Sequence, residues 1–175
     1  MPDLKPVLSQ EEIETTVSDL AQQISHDYKD REVILVGVLK GAFVFLADLI
    51  RHLTIPVKID FIRLASYGCN TSSCGTVCLT KEIEIDIGGK DVLVVEDIVD
   101  TGLSIKFLIE HLKTLKVRSV RVCALIDKHE RRQSDIAVDY VGRVIEKGFL
   151  VGYGLDYAER YRNLPYIGVF HAIED

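Results

Sequence analysis

A chain of 175 residues, 47% of them hydrophobic, can bury a substantial core without crosslinks or a structural metal. Its 21 basic and 27 acidic side chains give a formal charge of −6, which argues against nucleic acid or an anionic membrane as a partner, so any phosphate must be held locally. The four cysteines, Cys69, Cys74, Cys78 and Cys123, read as free thiols, because such a core needs no disulfide and the three that lie close together lack a C-x2-C pair and a nearby histidine for zinc. With no apolar run of signal-peptide length near Met1, the expected location is cytoplasmic.

Ser9 and Glu12 have the spacing of a capping box, and Ile13, Val17, Leu20, Ala21 and Ile24 follow at helical intervals, predicting an amphipathic helix. Residues 33–39 form a nearly continuous apolar run that suits a strand buried on both faces, after which Gly41 opens a second helical stretch through Leu49. Residues 57–65 read as another strand. The small, polar stretch 66–76, SYGCNTSSCGT, is expected to be a mobile lid. Residues 77–87 alternate in parts, Gly88-Gly89 turns the chain, and residues 92–95 are a buried strand ending at Glu96-Asp97. Ile105, Leu108, Ile109, Leu112 and Leu115 mark one helix face, and residues 120–126 return as a strand. Strands alternating with helices predict an α/β fold with a mainly parallel central sheet flanked by helices. Residues from about 136 to 175, richer in strand-like segments and tyrosines, are expected to form a small hood. No repeat or linker divides the chain, so residues 1–175 are read as a single domain.

Open α/β sheets bind ligands beyond the carboxyl ends of their strands, which makes the segment from Glu96 to Ser104 the first candidate site. Around Thr101, Gly102 and Ser104 the chain turns into a helix, where backbone N–H groups, two hydroxyls and the helix dipole can converge on a monophosphate. Glu96, Asp97 and Asp100 beside an anion demand other partners. Sugar hydroxyls donate to carboxylates, and Mg2+ takes oxygen ligands while keeping waters and substrate phosphates. A ribose phosphate with magnesium satisfies both needs.

Residues 92–104, VLVVEDIVDTGLS, resemble the phosphoribosyl pyrophosphate signature of the type I phosphoribosyltransferases. VGVLKGAFVFLADL from Val36, ASYG from Ala65, LIDKHERR from Leu125 and GFLVGYGLDYAERYRNLP from Gly148 extend the resemblance over about residues 34–170 and narrow it to the hypoxanthine-guanine branch of that family. The resemblance implies the type I phosphoribosyltransferase fold, with a small C-terminal/N-terminal hood over the sheet, and a purine-salvage reaction. In that reaction the 5-phosphoribosyl group passes from phosphoribosyl pyrophosphate to hypoxanthine or guanine, giving IMP or GMP and pyrophosphate. It also implies self-association as a homodimer or homotetramer.

By the same resemblance, pyrophosphate lies against Lys40 and Gly41, reached through a cis Leu39–Lys40 peptide, with Ser66, Tyr67 and Arg162 completing its site. Arg162 supplies a planar, five-donor group suited to that task. Glu96 and Asp97 take the ribose hydroxyls and Mg2+, while Asp100, Thr101, Gly102, Leu103 and Ser104 surround the ribose 5-phosphate. Asp100 is also the implied proton acceptor from purine N7. The purine is assigned to Lys128, Phe149, Leu150 and Asp156, the last also near a second magnesium. Lys128 can only donate, so a 6-oxo group satisfies it and a 6-amino group does not. His129 and the lid residues Cys69 and Cys74 depart from the family's usual residues, and oxidation of those two thiols is expected to hinder lid closure. A nucleotide-sensing regulator that binds RNA is disfavoured by the acidic chain and by Asp100, and adenine or pyrimidine enzymes by Lys128 with Phe149. A xanthine-preferring enzyme stays open.

Overall fold

The computed structural model describes residues 4–67 and 76–170. In chain order the elements are β1 (Leu4–Leu8), α1 (Gln10–Asp27), β2 (Val33–Leu39), α2 (Phe43–His52), β3 (Val57–Tyr67), β4 (Thr76–Lys81), β5 (Asp91–Val99), α3 (Leu103–Thr114), β6 (Ser119–Lys128), β7 (Tyr140–Ile145), β8 (Leu150–Val151) and β9 (Ile167–Phe170). Six strands form the main sheet in the order β4-β3-β2-β5-β6-β7. Only the edge pair β3–β4 is antiparallel. No helix among the described residues is long and apolar enough to cross a membrane.

The capping box forms as its spacing predicts: the Glu12 N–H donates to Ser9 Oγ at 3.2 Å and the Ser9 N–H to Glu12 Oε2 at 2.8 Å. Ser9→Ala is expected to cost about 1 kcal/mol, read as a lower urea midpoint with an unchanged denaturant slope. An unchanged midpoint would mean that packing alone holds the start of α1. Behind this cap, Ile13, Val17, Leu20, Ala21 and Ile24 are buried and pack with α2 against Leu35, Leu93, Val95, Cys123 and Leu125 of the sheet. The alternate residues Ile34, Val36, Val92, Val94, Val122 and Ala124 pack with Leu108 and Leu112 of α3 on the other face. Because successive strand residues point to opposite faces and both faces are covered, the strands must be apolar throughout.

Four sequence expectations are corrected. The stretch 66–76 is not loop at its ends: β3 continues to Tyr67, β4 begins at Thr76, and these two residues pair as the stem of a hairpin. Residues 68–75, including Cys69 and Cys74, lie outside the described residues. The central strand does not stop at Val95, because Ile98 and Val99 still pair with Ile126 and Asp127 of β6. Glu96 and Asp97 therefore sit within a strand. Residues 82–87 alternate but are not strand; the Glu84 and Ile85 N–H groups donate to the buried Asp60 carboxylate at 2.6 and 3.0 Å instead of to a neighbouring strand. Finally, Tyr140–Ile145, expected in the hood, is the parallel edge strand β7 of the main sheet. The second sheet has the order β1-β9-β8, both pairs antiparallel, so it joins the N-terminal strand to the C-terminal segment.

Candidate active site

A cleft of about 370 Å³ opens at the carboxyl ends of β2, β5 and β6, with the loop around Phe149 and the segment from Leu155 to Arg162 on its far side. It adjoins a hollow of about 160 Å³ at the start of α3. Glu96, Ile98 and Asp100 line both. Two wider grooves of about 700 and 690 Å³ flank α1, but neither contains the strand-end carboxylates. Size therefore does not identify the site; the convergence of charged groups does.

The smaller hollow is framed by the turn from Asp100 to Ser104. Gly102 stands at φ 78°, the left-handed conformation that admits glycine most readily, immediately before α3. The turn's carbonyls are tied back to the segment after β6. Arg132 donates to the Val99 and Asp100 oxygens at 3.2 and 3.0 Å, and the Gln133 N–H donates to the Thr101 oxygen at 2.9 Å. In a planar trans peptide the N–H opposes the carbonyl, so the Thr101 and Gly102 N–H groups face away from that brace. An oxyanion is the natural partner for such a turn. Sequence reasoning assigned nothing to Arg132, and its position in a run of charged residues gives no sign of its role.

Glu96 and Asp97 are 8% and 6% exposed. Burial raises both carboxyls above the usual range. Glu96 stands well above it because Asp97's negative charge adds to burial. For Asp97, burial is partly offset by hydrogen bonds from Glu96 and from the Ile98 N–H. The Asp97 carboxylate occupies the space that a Cβ on residue 41 would need, so glycine at position 41 is what lets the loop after β2 approach β5. The Leu39–Lys40 peptide just before it is cis.

Lys128 ends β6, and its side chain is only 7% exposed. Its ammonium lies 3.7 Å from Asp100 Oδ1 and 3.2 Å from Glu130 Oε2. Arg131 approaches Asp100 Oδ2 at 3.6 Å. Asp100 Oδ1 is buried and accepts no hydrogen bond among the described residues, which suits an N–H donor brought by a ligand. Phe149 is 50% exposed at the cleft and meets Tyr157 edge to face, with centroids 5.7 Å apart, leaving an aromatic surface available to a flat ring. Leu150 is buried in β8 beside it.

On the cleft's other side Arg162 pairs with Asp156 at 2.8 Å and donates to the Gly154 carbonyl at 2.7 Å. Arg162 and Lys40 both reach Glu159 Oε2, at 3.5 and 3.0 Å. Two cations from distant parts of the chain therefore converge on one anionic position, an arrangement that suits a pyrophosphate. Glu159 carried no signal in the sequence. Ser66 and Tyr67 appear as strand backbone at the end of β3.

Magnesium fits the donor set in part. Glu96 and Asp97 are adjacent buried oxygen ligands, whereas Asp156 is engaged by Arg162, and among the described residues no three His, Cys, Asp or Glu side chains form a metal cluster. A hard cation held by two carboxylates would complete its shell with waters and substrate phosphates, the usual habit of Mg2+.

A mainly parallel sheet with a turn suited to an oxyanion and carboxylates near the carboxyl ends of its strands defines a nucleotide- or sugar-phosphate-handling class of protein. The family described as the phosphoribosyl transferase domain matches residues 4–158, and the chain belongs to that family. The hypoxanthine-guanine phosphoribosyltransferase of Bacillus subtilis is 44% identical over 165 residues, covering 94% of this chain and 92% of that protein. A crystal structure of the hypoxanthine-guanine phosphoribosyltransferase of Bacillus anthracis is 46% identical, with a TM-score of 0.92 over 98% of this chain and 100% of that one. The hypoxanthine phosphoribosyl transferase of Trypanosoma cruzi, studied for the role of its C-terminal region in oligomeric state and activity, is 39% identical with a TM-score of 0.90, covering 95% of this chain and 91% of that one.

Proposed function

We propose that this protein is a purine-salvage enzyme that transfers the 5-phosphoribosyl group of phosphoribosyl pyrophosphate to hypoxanthine or guanine. The observation that carries this reading is the buried Lys128 ammonium beside an Asp100 oxygen that accepts no hydrogen bond among the described residues, between the turn before α3 and the half-exposed Phe149. N9 of the base attacks C1′, the bond from C1′ to the pyrophosphate oxygen breaks, and the N7 proton passes to Asp100. Lys128 donates to the 6-oxo group, Phe149 stacks on the ring with Leu150 beside it, and the turn of Asp100, Thr101, Gly102, Leu103 and Ser104 holds the 5-phosphate.

Lys40, Gly41 and Arg162 receive the departing pyrophosphate, with Ser66 and Tyr67 at the base of a lid whose closure would exclude water from the sugar cation. Glu96 and Asp97 accept hydrogen bonds from the ribose hydroxyls and, with Asp156 at the base side, are the residues that would hold Mg2+, which supplies neutralisation of the leaving group's charge. Homodimer or homotetramer formation and a cytoplasmic location complete the reading.

A spectrophotometric assay with phosphoribosyl pyrophosphate and Mg2+, offering hypoxanthine, guanine, xanthine and adenine separately, tests it. Hypoxanthine or guanine is expected to turn over with kcat/KM about 10⁴-fold above adenine, because adenine leaves a buried donor unpaired. Preference for xanthine would move the assignment within the 6-oxopurines. No turnover of any base by folded protein would remove it.

A further inference from the structure

We infer that Glu130, a residue outside the lining of the cleft, is a positioning residue that sets the geometry of the purine pocket; the inference rests on the function proposed above. A single oxygen of Glu130, Oε2, lies 3.2 Å from the Lys128 ammonium and accepts the Gly148 N–H at 3.3 Å. Gly148 stands at φ 110° immediately before Phe149. One carboxylate thereby joins the end of β6, which presents the donor for the base's edge, to the turn that presents the ring for its face. Its carboxyl is held below the usual range by Lys128 first and by the Gly148 N–H second, as both contacts require.

Lys128 lies between two carboxylates, Glu130 at 3.2 Å and Asp100 at 3.7 Å. With Glu130 removed, the remaining attraction draws the ammonium toward Asp100, since opposite charges at this separation gain from every shortening of the gap. Oδ1 of Asp100 would then be engaged by Lys128 instead of being open to the base. Glu130 holds the two working groups apart, so that one can donate to the 6-oxo oxygen and the other accept a proton. The phosphate turn is braced separately, by Arg132 and Gln133, so the effect should fall on the base and spare phosphoribosyl pyrophosphate.

Steady-state kinetics of Glu130→Ala and Glu130→Gln with each substrate varied, alongside thermal melting, test this. Glu130→Ala should raise KM for the base about tenfold, the scale of a lost charge-assisted hydrogen bond, while KM for phosphoribosyl pyrophosphate stays within about twofold and the melting temperature holds. Glu130→Gln keeps an oxygen acceptor for both donors and should recover most of the loss. The inference is overturned if the alanine variant binds base as wild type does, if both KM values rise together with a fall in melting temperature, or if glutamine is no better than alanine. A wild-type protein inactive on every 6-oxopurine would instead remove the functional reading itself.

Discussion

Asp100→Asn is expected to lower kcat by roughly 10²–10⁴-fold, the range attached to loss of a general acid–base group, with KM for both substrates changed far less. Asparagine keeps the size and the hydrogen-bonding oxygen of the side chain, so the turn that follows should survive. What disappears is a group able to take up the N7 proton as N9 attacks. Lys128 keeps Glu130 as a partner in the variant, and Arg132 contacts the backbone of residue 100, not its side chain, so the phosphate turn remains braced. Single-turnover measurement separates the chemical step from product release. A chemical step within a few-fold of wild type would assign the proton to solvent or to another group.

Lys128→Met is expected to reduce kcat/KM for hypoxanthine by about 10²-fold, the upper scale for losing a charge-assisted hydrogen bond in a buried setting, and to shrink the preference over adenine by a similar factor. Methionine retains the length and most of the volume of the lysine stem but has no donor. The 6-oxo group would lose its partner, whereas the adenine amino group would no longer face an ammionium with which it cannot pair. Removing the cation also leaves Asp100 and Glu130 without their shared partner, so the melting temperature must be measured beside the kinetics. A preference over adenine that survives in a folded variant would place the discrimination elsewhere, with the backbone around Leu150 the next position to test.

Several features of this molecule are legible from short stretches of chain. Ser9, Glu12 and the apolar residues behind them specify α1 because capping and helical periodicity act within a few residues. The apolar run of β2 reports burial on both faces, and the change from that kind of strand to Glu96-Asp97, followed by Thr101-Gly102, marks the approach to a strand's carboxyl end and a turn suited to an oxyanion, although the strand itself runs on to Val99. The location of the candidate site was therefore available from the order of residues alone, and its resemblance to a family supplied candidate roles. The stretch 66–76 carried a signal only as composition, and the paired residues Tyr67 and Thr76 show where the composition misled: strand pairing extended into a polar segment.

Other features exist only through contacts between distant segments. Leu4–Leu8 becomes a strand because Ile167–Phe170 returns beside it, and β7 joins the main sheet because β6 offers it a parallel edge. Lys128 looks like one member of a solvated charged run, yet the ending of β6 buries it between Asp100 and Glu130. Likewise, Glu159 meets Lys40, and Arg132 braces the turn after β5, only once the strands are in order. Helix periods, caps and buried apolar runs are local properties that the sequence determined by itself. The pairing of charges across the cleft depended on strand order and register, which no short segment encodes, and so it was decided by the tertiary structure.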